Sequence, residues 1–326
     1  MTGRLQPAAL HPELRSVFRF VPNPPIGRPW MLRLMQSGSD TVSRPRLPEG
    51  MTHRFVALGE GRGVHVFRPD GPQVRAGLLW IHGGGYVVGN ASQDHARCVR
   101  VAQELDIVVV SAEYRPAPGH RYPAALDDVH AAWSWLVGHT DELGVDTDRL
   151  AIAGQSAGGG LAAALVQRVH DEPGAQPVAQ WLFCPMLDDR TAADHSLDDV
   201  RHYLWDNRSN RVGWSAYLGV EPGRPTVPSY SVPARREKLT GLPPAWIGCG
   251  DIELFYEEDR RYADALTAAG VPTVLDVVPG APHAFESIRS GTGVATDYLE
   301  GANRWLNDQL NDPEPGATQL EAGDQS

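Results

Sequence analysis

The sequence predicts an α/β fold: a mostly parallel central sheet flanked by helices, with a helical cap. Three observations predict it. Short apolar runs recur along the chain, such as Leu78-Leu-Trp-Ile81 and Ile107-Val-Val-Val110. Stretches of helical length and amphipathic spacing alternate with those runs. One long segment, 187–240, interrupts the alternation and carries several aromatic residues. Unbroken apolar strands are buried on both faces, which is the condition of a parallel sheet covered by helices. Repeated β-α-β units with right-handed crossovers build that architecture.

Residues 1–50 are rich in Pro and Arg, with Trp30, Leu32, Leu34 and Met35 as apolar anchors. They read as short helices draped over the rest of the chain. His53–Leu58 and Gly63–Phe67 read as a hairpin closed by a glycine-containing turn. The strands that follow are expected at 77–82, 106–111, 150–153, 181–184, 245–249 and 274–278. Helices are expected at 94–105, 124–143, 157–169 and 255–269. The last ends at Gly270 with Pro272 beyond it, the usual stop signals. Within 187–240, Ser196-Leu-Asp-Asp199 reads as a capping-box variant opening a short helix that includes Tyr203 and Leu204. Ser209–Leu218 reads as a second helix. The expected organisation is therefore an N-terminal cap segment (1–50), a first core part (51–186), a helical insertion (187–240), a second core part (241–310) and a polar, disordered tail (311–326).

The chain has 326 residues, of which 42% are hydrophobic and 21% charged, so it can bury a large core. With 29 basic and 40 acidic residues its formal net charge is −11. That balance, with no basic cluster, argues against nucleic acid or an anionic membrane as partner. Lys238 is the only lysine. Cys98, Cys184 and Cys249 are too few and too scattered for a disulfide framework, and they lack zinc-site spacing. They read as buried thiols. No stretch approaches a membrane span, and the N-terminus has no continuous apolar core of a signal peptide, so a cytoplasmic location is the default expectation.

Chemistry concentrates in four places. Gly154-Gln-Ser-Ala-Gly158 lies between an expected strand and an expected helix, where a sharp turn lifts the Ser156 hydroxyl into the open. His82-Gly-Gly-Gly85 follows another strand, and successive glycines let backbone N–H groups face a reacting oxygen. Gly83 and Gly84, with Ala157 after the serine, are the candidate oxyanion donors. His82 itself reads as an anchor for the loop. His283, in a Gly/Pro-rich loop after a strand, is the candidate base. Asp251, directly after another strand, is the candidate acid, with a helix cap as its competing role and Glu253 as the second choice.

These motifs resemble one family. HGGGYVVG at 82–89, GQSAGG at 154–159, the segment GDIELFYEED and PHAF at 282–285 are similar to the α/β-hydrolase fold-3 group, the hormone-sensitive-lipase-like carboxylesterases (bacterial family IV). The order Ser156, Asp251, His283 is the one that fold uses. The 113–118 and 122–127 segments resemble that family's Tyr-Arg-Leu-Ala-Pro and Pro-Ala-Ala-Leu block, read here as structural. The resemblance implies a serine carboxylesterase acting on small ester substrates, with a Ser-His-Asp triad and a cap made from residues 1–50 and 187–240. It implies no cofactor and no metal. Gln155 and Gly160 depart from the family's usual residues. Tyr86, Tyr203, Trp205, Trp214 and Tyr217 are candidates to line an apolar pocket under the cap, suited to short or medium acyl chains or small aromatic esters. An amidase or formamidase with the same triad, or a non-catalytic small-molecule receptor, are the rival readings; the receptor relatives lack the histidine that His283 supplies here. An edge strand such as Val274–Val278 suggests a homodimer.

Overall fold

The computed structural model describes residues 3–39 and 45–311. The tail expected at 311–326 lies outside them apart from Asn311, which ends a helix. The core is one eight-stranded sheet. Its strands are β1 (Met51–Gly59), β2 (Arg62–Pro69), β3 (Arg75–Ile81), β4 (Val108–Glu113), β5 (Val145–Gln155), β6 (Ala179–Phe183), β7 (Ala245–Gly250) and β8 (Thr273–Val278). They lie in the order β8-β7-β6-β5-β3-β4-β2-β1. β2 runs antiparallel to β1 and β4, and the other neighbours are parallel. β8 forms one edge, with Val274 exposed.

Side chains of each inner strand alternate between two apolar layers. Leu79, Ile81, Leu150 and Ile152 face one layer, with the helices α2 (Pro29–Ser39), α4 (Ala124–Gly138), α5 (Ala157–Asp171) and α7 (Tyr256–Ala268). Leu78, Trp80, Ala151 and Ala153 face the other, with α1 (Pro12–Phe18), α3 (His95–Leu105) and α8 (Gly293–Asn311). Trp80, Trp181, Phe183 and Trp246 form a fully buried aromatic group in this second layer. Each such side chain contributes roughly 1.5–3 kcal/mol by leaving water. The sheet is therefore buried on both faces, as its unbroken apolar strands require.

Two expected elements differ. The helix expected over 124–143 stops at Gly138, and a single turn, Thr140–Leu143, follows before Gly144 in the left-handed region. Tyr203 and Leu204 are not helical. Residues 195–199 form one 3-10 turn capped by Asp194, whose Oδ1 accepts from the Ser196 N–H at 2.9 Å, and Val200–Arg201 then turns into a short bridge. Leu204, at φ 66°, prevents a helix from continuing there. The second helix of the insertion, α6 (Asn207–Leu218), forms as expected, with Asp206 as its cap through the Ser209 N–H at 3.0 Å.

Residues 187–240 contribute no strand to the eight-stranded sheet. They meet the N-terminal segment instead. Gly3–Arg4 pairs in parallel with Val200–Arg201. Tyr203 donates its hydroxyl to the Leu5 carbonyl at 2.8 Å, and Asn23 Nδ2 donates to Asp206 Oδ2 at 2.8 Å. Among the described residues, no helix is long and apolar enough to cross a membrane.

Candidate active site

The carboxyl ends of β3, β5, β7 and β8 converge on one region, where parallel sheets present their loops. β5 ends at Gln155 and α5 begins at Ala157, leaving Ser156 alone in the turn. Ser156 adopts φ 56°, ψ −121°, a strained conformation for a residue with a side chain. The turn closes only because its flanking residues are glycines. A Cβ on Gly154 would lie 2.2 Å from the Gly158 carbonyl oxygen, and one on Gly158 would lie 2.2 Å from that of Ile81. The elbow thus rests directly on the end of β3.

His283 Nε2 lies 3.0 Å from Ser156 Oγ. On the other side of the ring, His283 Nδ1 lies 2.5 Å from Glu253 Oε2. All three side chains are buried. The expectation that Asp251 holds the histidine is corrected here. Asp251 is exposed, and its Oδ1 accepts from the Gly280 N–H at 2.6 Å, so it ties the end of β7 to the loop after β8. It does not cap α7 either, since that helix starts at Tyr256. Glu253 reaches the ring because the turn after Gly250 points its longer side chain inward, where Oε1 also accepts from the Gly250 N–H at 3.2 Å. Phe255 packs edge-on against the His283 ring and closes its far side.

The glycine loop comes up beside the serine. A Cβ on Gly83 would lie 3.3 Å from Ser156 Cβ. Gly84 has φ 128°, and a Cβ there would lie 1.8 Å from the Val88 carbonyl oxygen. Among the described residues, no backbone carbonyl accepts from the N–H of Gly83 or Gly84, and Ala157 is the first residue of α5, whose N–H has no partner within the helix. His82 anchors the loop: its ring stacks on Tyr114 at 4.2 Å, and Nδ1 donates to the Gly83 carbonyl at 2.8 Å. The 113–118 block is structural, as Arg115 grips buried Asp128 with two contacts of 2.8 Å.

The five aromatic candidates separate. Trp205 lies against the glycine loop, since a Cβ on Gly85 would be 2.1 Å from its ring. Tyr86 stacks on Tyr217 at 4.2 Å and meets Trp214 at 5.1 Å, joining the loop to α6. All four are buried. Tyr203 does not join them: its ring belongs to the opposite apolar layer, with Leu10 and Leu14, because its hydroxyl is engaged by Leu5.

Sequence reasoning missed the polar groups behind the site. Gln155 Nε2 donates to Glu286 Oε1 at 2.6 Å and Ser287 Oγ at 2.8 Å. Arg97 pairs with Glu286 at 3.2 Å and lies over the Phe183 ring at 4.3 Å. Glu258 Oε1 accepts from the Leu187 and Asp188 N–H groups, and burial pushes its carboxyl up to about 8. Asp259 is pushed well above the usual carboxylate range, first by burial and then by the charge of Glu253. The three cysteines are free and buried, and burial raises the Cys184 thiol beside Glu253 and His283.

The family model described as alpha/beta hydrolase fold matches residues 78–287. The esterase LipI of Mycobacterium tuberculosis is 34% identical over 233 residues, 70% of each chain. The ethyl acetate hydrolase of Pseudomonas putida is 33% identical over 68% of this chain and 70% of its own. Among solved structures, a bacterial heroin esterase superposes with a TM-score of 0.81 at 31% identity, covering 93% of this chain and 98% of that one.

Proposed function

The chain belongs to the α/β-hydrolase family, in its hormone-sensitive-lipase-like group, and on that premise we propose that it is a serine carboxylesterase that uses Ser156, His283 and Glu253. The observation that carries the reading is the unbroken line of contacts from Ser156 Oγ through His283 to Glu253 Oε2. Similarity to proteins named for ester hydrolysis supports it.

In this reading His283 Nε2 takes the hydroxyl proton as Ser156 Oγ attacks the ester carbonyl. Glu253 accepts from Nδ1–H, fixes the tautomer and stabilises the imidazolium that forms. The Gly83, Gly84 and Ala157 N–H groups receive the oxyanion, each donor contributing on the order of 10²–10³ in rate. The protonated His283 returns the proton to the departing alkoxide. Water then attacks the acyl-enzyme with His283 again as base. Residues 1–50 and 187–240 act together as a cap, and Trp205 against Gly85 narrows the space above the oxyanion donors. Small esters, with short or medium acyl chains or a small aromatic group, fit that confinement.

The test is hydrolysis of p-nitrophenyl esters from acetate to palmitate by the wild type and Ser156→Ala. Turnover that falls by about 10⁴–10⁶ in the variant supports the reading. Retained turnover in Ser156→Ala overturns it, and an optimum at palmitate overturns the substrate size.

A further inference from the structure

One cluster of two buried histidines and a half-buried one takes no part in the ester chemistry. His53 on β1, His65 on β2 and His95 at the first residue of α3 bring their rings together from three elements. One nitrogen of each lies within 4.8 Å of the other two. The ring centroids form a closed triangle with sides of 5.3, 5.6 and 4.7 Å. His53 Nε2 and His65 Nδ1 are already 3.1 Å apart. Three imidazoles around one tetrahedral ion at about 2.0–2.1 Å hold their nitrogens roughly 3.3 Å apart, so His53 and His65 already have that spacing and His95 offers a nitrogen within 4.8 Å of both.

We propose that His53, His65 and His95 form a site for a late first-row divalent cation, with Zn²⁺ as the reference ion. Three neutral imidazoles are the donor set that suits such ions. A carboxylate stands behind the central ligand: His65 Nε2 faces Glu113 Oε1 at 3.5 Å, and that oxygen also accepts from the Ala91 N–H at 3.0 Å. With Nδ1 on the ion, the Nε2–H turns to Glu113, the outer-shell partner that metal-binding histidines ordinarily have. Phe55 and Phe67 pack against the histidine rings and give the site an apolar wall. His53 is only half-buried, which leaves a route for the ion. The sequence gives no warning of this site because its three histidines are far apart and none has paired spacing. The bound ion ties the β1–β2 hairpin to α3, and so acts on stability, away from Ser156.

The test uses the full chain without an affinity tag, after chelator treatment. Titration with ZnCl₂ followed by calorimetry, and with CoCl₂ followed by visible absorption, is expected to show one ion per chain and tetrahedral cobalt bands. Thermal unfolding is expected to move up with Zn²⁺. His53→Gln and His65→Gln are expected to lose the ion and the shift, and Glu113→Gln to weaken binding about 10–100-fold. His120→Gln, at an exposed histidine, is expected to bind as the wild type does. Far-UV circular dichroism and ester turnover report whether each variant has folded, and half-buried His53 keeps the test open if His65→Gln does not fold. Absence of saturable binding in the wild type, or unchanged 1:1 binding in a folded His53→Gln variant, overturns the proposal.

Discussion

Glu253 Oε2 sits 2.5 Å from His283 Nδ1, and neither side chain is more than 5% exposed. A carboxylate so placed is not interchangeable with the exposed Asp251 two residues before it. Glu253→Gln is expected to lower kcat/KM on p-nitrophenyl acetate by about 10²–10⁴, since the amide favours the wrong tautomer of the histidine. Asp251→Asn is expected to stay within about threefold, because the amide oxygen still accepts from the exposed Gly280 N–H and the residue does not touch His283. Equal losses in the two variants would contradict the assignment.

Gly160 stands on α5 one turn beyond the serine. A Cβ there would lie 2.2 Å from the Met186 carbonyl oxygen and 2.5 Å from the Tyr86 hydroxyl. Gly160→Asn is therefore expected to destabilise the protein by about 1–3 kcal/mol or more, measured by urea unfolding. An unchanged midpoint would show that this part of α5 yields more than its packing suggests.

Arg97 faces buried Glu286, which in turn accepts from Gln155 beside the serine. Arg97→Met keeps most of the apolar contact with Phe183 and Trp80 and removes the charge. It leaves an uncompensated carboxylate and is expected to cost about 3–5 kcal/mol at neutral pH. Arg97→Met with Glu286→Gln is expected to recover much of that loss. A double variant no better than Arg97→Met would show that the two residues act independently.

Glu258 makes stability depend on pH. Its carboxyl is raised to about 8 in the fold, chiefly by burial. In the unfolded chain it titrates near the ordinary value of about 4.3. The folded state thus holds the proton more tightly, and this contribution is complete below about pH 4.3 and is lost as pH rises towards 8. Glu258→Gln keeps an acceptor for the Leu187 and Asp188 N–H groups. Its stability relative to the wild type is expected to climb between those limits, by at most about 1.4 kcal/mol per pH unit. A flat difference would show that Glu258 is ionised throughout.

The strands were legible because burial on both faces leaves unbroken apolar runs, as at 78–81 and 107–110. Ser156 and the glycine loop were legible because close backbone approach admits only glycine around them. The carboxylate that meets His283 was only half legible. Two carboxylates follow β7 within three residues, and which one turns inward depends on the turn after Gly250 and on the Gly280 N–H, supplied from a distant loop. Tyr203 was misread because the bridge of Val200–Arg201 with Gly3–Arg4 carries its ring to the other layer. Such pairings between remote segments leave no local pattern.

That bridge also bears on handling the protein. The first residues of the described chain share a ladder with the 187–240 insertion, and Leu5 supplies the acceptor for Tyr203. A fusion partner or a trimmed amino terminus therefore pulls on the insertion as directly as a substitution within it. Turnover is therefore best compared between chains that share the same amino terminus.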